Sequence, residues 1–228
     1  MTQFVSTHGP RVLAMCGLVT ALLAGVAERP ALGAPPADHG QSNRQALPAG
    51  KPQTPSSVDT SACTNPALSQ PFLWARDRNW YTLVPGQAPG SFGGNGWTLS
   101  NGAHVVTAEV KDGQTSSVLD LPSGARAVSP PVCVTSQDPA ARAMVRNVVG
   151  AQGIAFYISY AGRRTWAKPQ KTGQFHGRHG GWTPSTRINL LPSHKTKGWQ
   201  VARFVFVGGG KQSEFQLYDF YVDPRMKA

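Results

Sequence analysis

The chain has 228 residues, with 22 Lys and Arg against 11 Asp and Glu, for a net charge of +11 at pH 7. So few carboxylates disfavour a conventional glycosidase, which needs two facing one bond. The three cysteines offer no CxxC pair and no zinc spacing, and the basic excess favours anionic partners.

Residues 1–33 read as a secretory signal peptide. A polar start and Arg11 precede an apolar run of about 16 residues, Val12 to Ala27, and then small residues follow. The run falls short of the ~20 residues that cross a bilayer as a helix. Cleavage after Ala27 or after Gly33 fits the small-residue rule. Either cut removes Cys16 and leaves Cys63 and Cys133. In an exported chain two cysteines most simply form one disulfide. The expected location is outside a bacterial cell or on its surface.

Residues 34–62 are rich in Pro, Ala, Gln, Ser and Thr and hold almost no large apolar residue, which predicts a disordered linker. Residues 63–228 are long enough for one domain with a real core.

That domain is expected to be all-β, an antiparallel β-sandwich. Candidate strands are Trp80–Val84, Gly96–Ser100, His104–Val110, Ser117–Leu121, Ala125–Ser129, Val132–Thr135 and Ala143–Val149. They recur about every ten residues, with turn formers between them. Asp138–Met144 can form one helical turn or lead directly into a strand. Ile154–Tyr160 alternates at period two, as a half-buried strand does. Arg187–Leu191 is a further strand. Trp199–Val207 and Phe215–Val222 are long β-branched and aromatic runs around Gly208-Gly209-Gly210-Lys211-Gln212-Ser213, and they predict an antiparallel hairpin. The alternation of the last run changes phase near Tyr218 and Asp219, which predicts a bulge there.

Several of these segments carry a resemblance. Gly96-Trp97-Thr98-Leu99-Ser100-Asn101-Gly102-Ala103 is followed by Ser117 to Ala125 and Ser129 to Val134. The chain closes on Trp199 to Phe206 and Phe215 to Pro224. This order resembles a group of secreted actinobacterial proteins of unknown function. More distantly it is similar to jelly-roll carbohydrate-binding modules and galactose-binding-like domains. The resemblance implies a jelly-roll-like sandwich over residues 63–228. In the carbohydrate-binding relatives the last strand carries paired acids near a structural calcium. Here Tyr218 stands in place of one acid, leaving Asp219 and Asp223 as the implied metal ligands. No other cofactor is expected.

No GxSxG elbow, HExxH, P-loop or dinucleotide fingerprint is present. Gln174-Phe175-His176-Gly177-Arg178-His179 is the densest polar cluster and reads as a basic loop. Trp97, Trp199 and Trp80 lie in strand patterns and are expected in the core. Trp166 and Trp182 lie in polar, basic or glycine-rich contexts. There an indole stacks on a sugar face and a neighbouring Arg or Lys holds an anion.

The leading reading is a secreted, non-catalytic module that binds a glycan or an anionic cell-envelope polymer. Its site comprises Trp166 and Trp182, supported by Tyr157, Arg163, Arg164 and His176. The alternatives are a polysaccharide lyase on the same fold and a structural surface protein without a small ligand. Export argues against a specific nucleic-acid partner, and no transmembrane helix is expected in the mature chain.

Overall fold

A computed structural model describes residues 58–135, 140–191 and 197–223. The signal segment and most of the predicted linker, residues 34–57, lie outside the described residues. No described helix is long and apolar enough to cross a membrane.

Among the described residues one 3-10 turn, Leu73–Ala75, precedes fourteen strands. In chain order they are β1 (Thr82–Leu83), β2 (Thr98–Ser100), β3 (His104–Lys111), β4 (Gln114–Pro122), β5 (Arg126–Val128), β6 (Val132–Thr135) and β7 (Ala140–Val149). Then come β8 (Ile154–Tyr160), β9 (Gln170–Phe175), β10 (Arg178–His179), β11 (Thr183–Pro184), β12 (Ile188–Asn189), β13 (Trp199–Gly208) and β14 (Glu214–Asp223).

They form two sheets. The eight-stranded sheet runs β10-β7-β14-β4-β3, with β1 on β14 and with β11 and β12 on β7. The six-stranded sheet runs β2-β5-β13-β8-β9, with β6 on β13. Every pairing is antiparallel except the two-residue β10–β7 contact. The architecture is therefore the expected β-sandwich.

Period-two patterning builds the core. Ala202, Phe204 and Phe206 of β13 and Ile154, Phe156 and Ile158 of β8 point inward from one sheet. Leu119 and Leu121 of β4 and Phe215 and Leu217 of β14 point inward from the other. Phe220 of β14 reaches across to pack edge-on against Phe204 and Phe206, with ring centroids 5.2 and 4.9 Å apart. Trp97 stacks on Phe206 at 5.8 Å, and its Nε1–H donates to the Pro85 carbonyl at 2.9 Å. Cys63 and Cys133 form the predicted disulfide, tying the segment ahead of β1 to β6.

Several expectations change. The hairpin of the last two runs does not form, because β13 and β14 belong to different sheets. Each strand has a largely apolar face, and the two faces meet across the core rather than lying side by side. The glycine run between them is an arch. There the Gly208 N–H donates to Ala125 O, the Gly124 N–H donates to Gly208 O, and the Gly209 N–H donates to Gly153 O. Asp138 lies outside the described residues, and Ala140–Met144 is strand from its first residue. Strand β9 takes in Gln174 and Phe175, and β10 takes in Arg178 and His179, so the predicted basic loop is partly strand. Trp80 is 43% exposed, whereas its neighbour Tyr81 is in the core. The bulge occurs where expected: the β14–β7 register shifts between Tyr218 and Tyr221, and Asp219 adopts a left-handed φ of 50°.

Candidate functional site

The first site grows from that bulge, on the outer face of the eight-stranded sheet. Leu217 and its partner Val145 face the core, so Tyr218 and its partner Met144 face outward. The Gly90 N–H donates to Asp219 Oδ1 at 2.7 Å and holds that carboxylate. Burial pushes the Asp219 carboxyl up, and the Gly90 hydrogen bond pulls against it. Burial and the Asp219 charge push the Tyr218 phenol up to about 12, so it remains a neutral hydroxyl at physiological pH.

Two further segments close the site. Trp182, in the turn between β10 and β11, donates from Nε1 to Glu109 O at 2.8 Å. It packs edge-on against Tyr218 at 4.6 Å, beneath the Arg146 guanidinium, whose carbon lies 4.9 Å from the ring centroid. Arg146 is itself held by Gln216 Oε1, and Gln216 Nε2 donates to the buried Asp120 at 2.9 Å. On the other side Phe72 is buried edge-on against Tyr81 and Tyr221, at 5.5 and 5.7 Å. This anchors the 3-10 turn and presents Trp74, which is 68% exposed. Pro71, Phe72, Trp74, Val110, Lys111, Met144, Trp182, Tyr218 and Asp219 line a groove of ≈ 370 Å³. It offers two indoles and a phenol, with one carboxylate and one ammonium at their margin. Such a surface can cover the apolar face of a ring while exchanging hydrogen bonds with its hydroxyls.

A second groove lies on the outer face of the six-stranded sheet. Arg203 and Val205 alternate with the core residues Phe204 and Phe206 and so point outward. The loop after β8 folds back over this face: Ala167 N–H donates to Tyr160 O, and Ser159 Oγ donates to Ala167 O. The loop brings Trp166 beneath the Arg203 guanidinium, 4.0 Å from the ring centroid. Thr98, Arg126, Val128, Ser159, Trp166, Ala167, Lys168, Pro169, Arg203 and Val205 line ≈ 390 Å³.

The residues predicted as one site are therefore divided. Trp166 and Trp182 lie on the outer faces of different sheets and do not share a groove. Arg163 and Arg164 are exposed on the turn between Ala161 and Trp166. Tyr157 pairs with Val205 and faces outward beside the second groove. His176 follows β9 at the Ile154 end of β8 and contacts Gln152 O at 3.2 Å. Trp166 is at the Tyr160 end, roughly 20 Å away along the strand. Tyr157, Arg163 and Arg164 are thus not brought together with His176.

Asp219 and Asp223 are also placed differently from a calcium pair. Asp219 accepts from Gly90 beside the first groove, and Asp223 is buried at the end of β14, paired with Ala140. Among the described residues no group of three or more His, Cys, Asp or Glu is placed to hold a metal ion. Two separated carboxylates do not fit an ion that takes six to eight oxygens.

Trp74 and Tyr218 were missed as groove residues. The signal for Trp74 was present in Phe72-Leu73-Trp74, an aromatic cluster ahead of the first strand with no strand pattern to absorb it. For Tyr218 the signal was alternation from the inward-facing Phe215 and Leu217, which turns Tyr218 outward just ahead of the bulge at Asp219.

No protein-family model matches the chain, and no curated protein matches it. Solved structures similar to it include a xylan-binding domain of CBM 22, which is 14% identical with a TM-score of 0.45 and covers 67% of this chain and 99% of that one. Another is TmCBM61 in complex with β-1,4-galactotriose, at 13% identity and a TM-score of 0.41, covering 64% of this chain and 98% of that one. A third is the CBM22-1 xylan-binding domain from Paenibacillus barcinonensis Xyn10C, at 12% identity and 0.39, covering 58% and 88%. These three are carbohydrate-binding modules.

Proposed function

We propose that residues 63–228 are a non-catalytic glycan-binding module, exported by the segment at residues 1–33. The observation that carries this reading is Trp74. A tryptophan 68% exposed beside Trp182 and Tyr218 is costly to leave in water, and a sugar ring stacked in the groove relieves that cost. Asp219 and Lys111 supply an acceptor and donors for hydroxyl groups. Asp219 is the one carboxylate among the described lining residues, whereas glycoside hydrolysis uses two. The Cys63–Cys133 bridge fits an oxidising compartment.

Affinity electrophoresis in gels containing soluble xylan or β-1,4-galactan tests the reading. The wild-type chain is retarded by at least one neutral polymer. Trp74→Ala and Trp182→Ala each weaken binding about fivefold or more, corresponding to the ~1 kcal/mol of one aromatic contact. Retardation that is unchanged in both variants removes the groove from the proposal. Products released from either polymer would overturn the non-catalytic assignment.

A further inference from the structure

We infer that the groove on the six-stranded sheet is a second, separate site, and that it takes the oxyanion groups of an acidic polysaccharide. Its lining holds three cations, Arg126, Lys168 and Arg203, and no Asp or Glu. None of the three makes an ion pair with another described residue. Leaving three like charges around one ≈ 390 Å³ hollow costs self-repulsion, which a bound anion removes.

The geometry makes this more than a charged surface. The Arg203 guanidinium lies 4.0 Å from the centroid of the Trp166 ring, which holds it in place. A guanidinium held this way keeps its planar fork of donors ready for a carboxylate or a related oxyanion, with less entropy to lose. Trp166 is held in turn by the bridge it makes with Ala161. Arg126 lies opposite Val207 on β13, four residues along from Arg203. That is ~13 Å of backbone at strand rise, and both side chains line the one hollow, which suits a ligand that presents anionic groups along its length, as an acidic polymer does. The two grooves face opposite sides of the sandwich, so one domain can hold a neutral and an acidic chain together.

The test compares binding of the full chain to polygalacturonate, dextran sulfate, neutral dextran and a single-stranded oligonucleotide at 150 mM salt, with the carboxylate and sulfate arms separating the two oxyanions. Arg203→Ala is expected to weaken binding to the preferred acidic polysaccharide about tenfold, the loss of one charge-assisted contact. Arg203→Lys weakens it as well although the charge is kept, because the fork is lost. Lys168→Ala, at an exposed position, gives a second reading without touching the sheet. Lys211→Ala, on the exposed arch, removes the same charge elsewhere and leaves affinity within about twofold. Equal losses for Arg203→Ala and Lys211→Ala would show general charge attraction and overturn the site. So would an oligonucleotide binding more tightly than both acidic polysaccharides, or neutral dextran binding as well as they do. Trp74→Ala leaves binding to the acidic polymer intact, and Arg203→Ala leaves neutral xylan binding intact, so each groove fails or stands alone.

Discussion

Asp77 shows how a single carboxylate is made structural. It is nearly buried, accepts from Tyr81 Oη at 2.7 Å and from the Asn79 N–H at 3.1 Å, and pairs with Arg142, whose guanidinium also covers Phe72 at 5.0 Å. Burial alone would raise its pKa, but Tyr81, Asn79 and Arg142 together hold it below the ordinary 3.8. A depressed carboxyl stabilises the fold above its ordinary pKa, and that stability drains away as pH falls below 3.8 toward the folded value. Urea melts between pH 2 and 5 should therefore show a stability loss that Asp77→Asn flattens. Arg142→Ala at pH 7 strands the buried carboxylate and should cost about 3–5 kcal/mol. Glu214 has the opposite sign. Burial, and then the neighbouring Asp120 charge and shared hydrogen bond, raise its pKa, while His104 and Arg146 oppose the shift. A raised carboxyl stabilises the fold below its ordinary pKa, and that contribution is lost as pH rises through the folded value. Glu214→Gln should therefore melt higher than the wild type at pH 7 and level with it near pH 4.

At the scale of elements, most strands were legible because period two is a local property. Val132–Thr135 and Ile154–Tyr160 have the bounds their alternation implies. Strand β9 was not legible. Gln170-Lys171-Thr172-Gly173-Gln174-Phe175 lies at the sheet edge, where polar side chains are tolerated, and it buries only Phe175 fully. The partner of β13 was misjudged for a different reason. A glycine-rich turn between two apolar runs suits a hairpin and an arch equally, and the choice depends on which side chains meet across the core. The arch has a specific signature. A Cβ on Gly208 would lie 2.1 Å from the Pro122 carbonyl, and on Gly209 it would lie 2.4 Å from the Gly153 carbonyl. Gly208→Ala should cost about 1–3 kcal/mol in a thermal or urea melt, as backbone that cannot recede is pushed apart. An unaffected melt would mean that the arch has slack.

For the whole molecule, the disulfide couples stability to the first groove. It closes a loop of 70 residues, worth ~4 kcal/mol on the chain-entropy account. The segment that it anchors continues to Phe72 and Trp74. Replacing Cys63 and Cys133 together by Ser should lower the melting midpoint. It should also weaken neutral-glycan binding at Trp74 more than polyuronate binding at Arg203, which titration calorimetry on both polymers would resolve.

The sequence by itself determined the β class, most of the strands, the cysteine pair and the bulge at Asp219. Each of these rests on local periodicity, turn chemistry or composition. It also picked out Trp166 and Trp182 as unusual indoles. Tertiary structure alone decided that they serve different faces, that Trp74 joins Trp182, and that Arg203 joins Trp166. Alternation states which side chains share a face of a strand, but both sheets offer the same apolar interior. It therefore cannot state which sheet the strand joins, nor which loop crosses over its outer face.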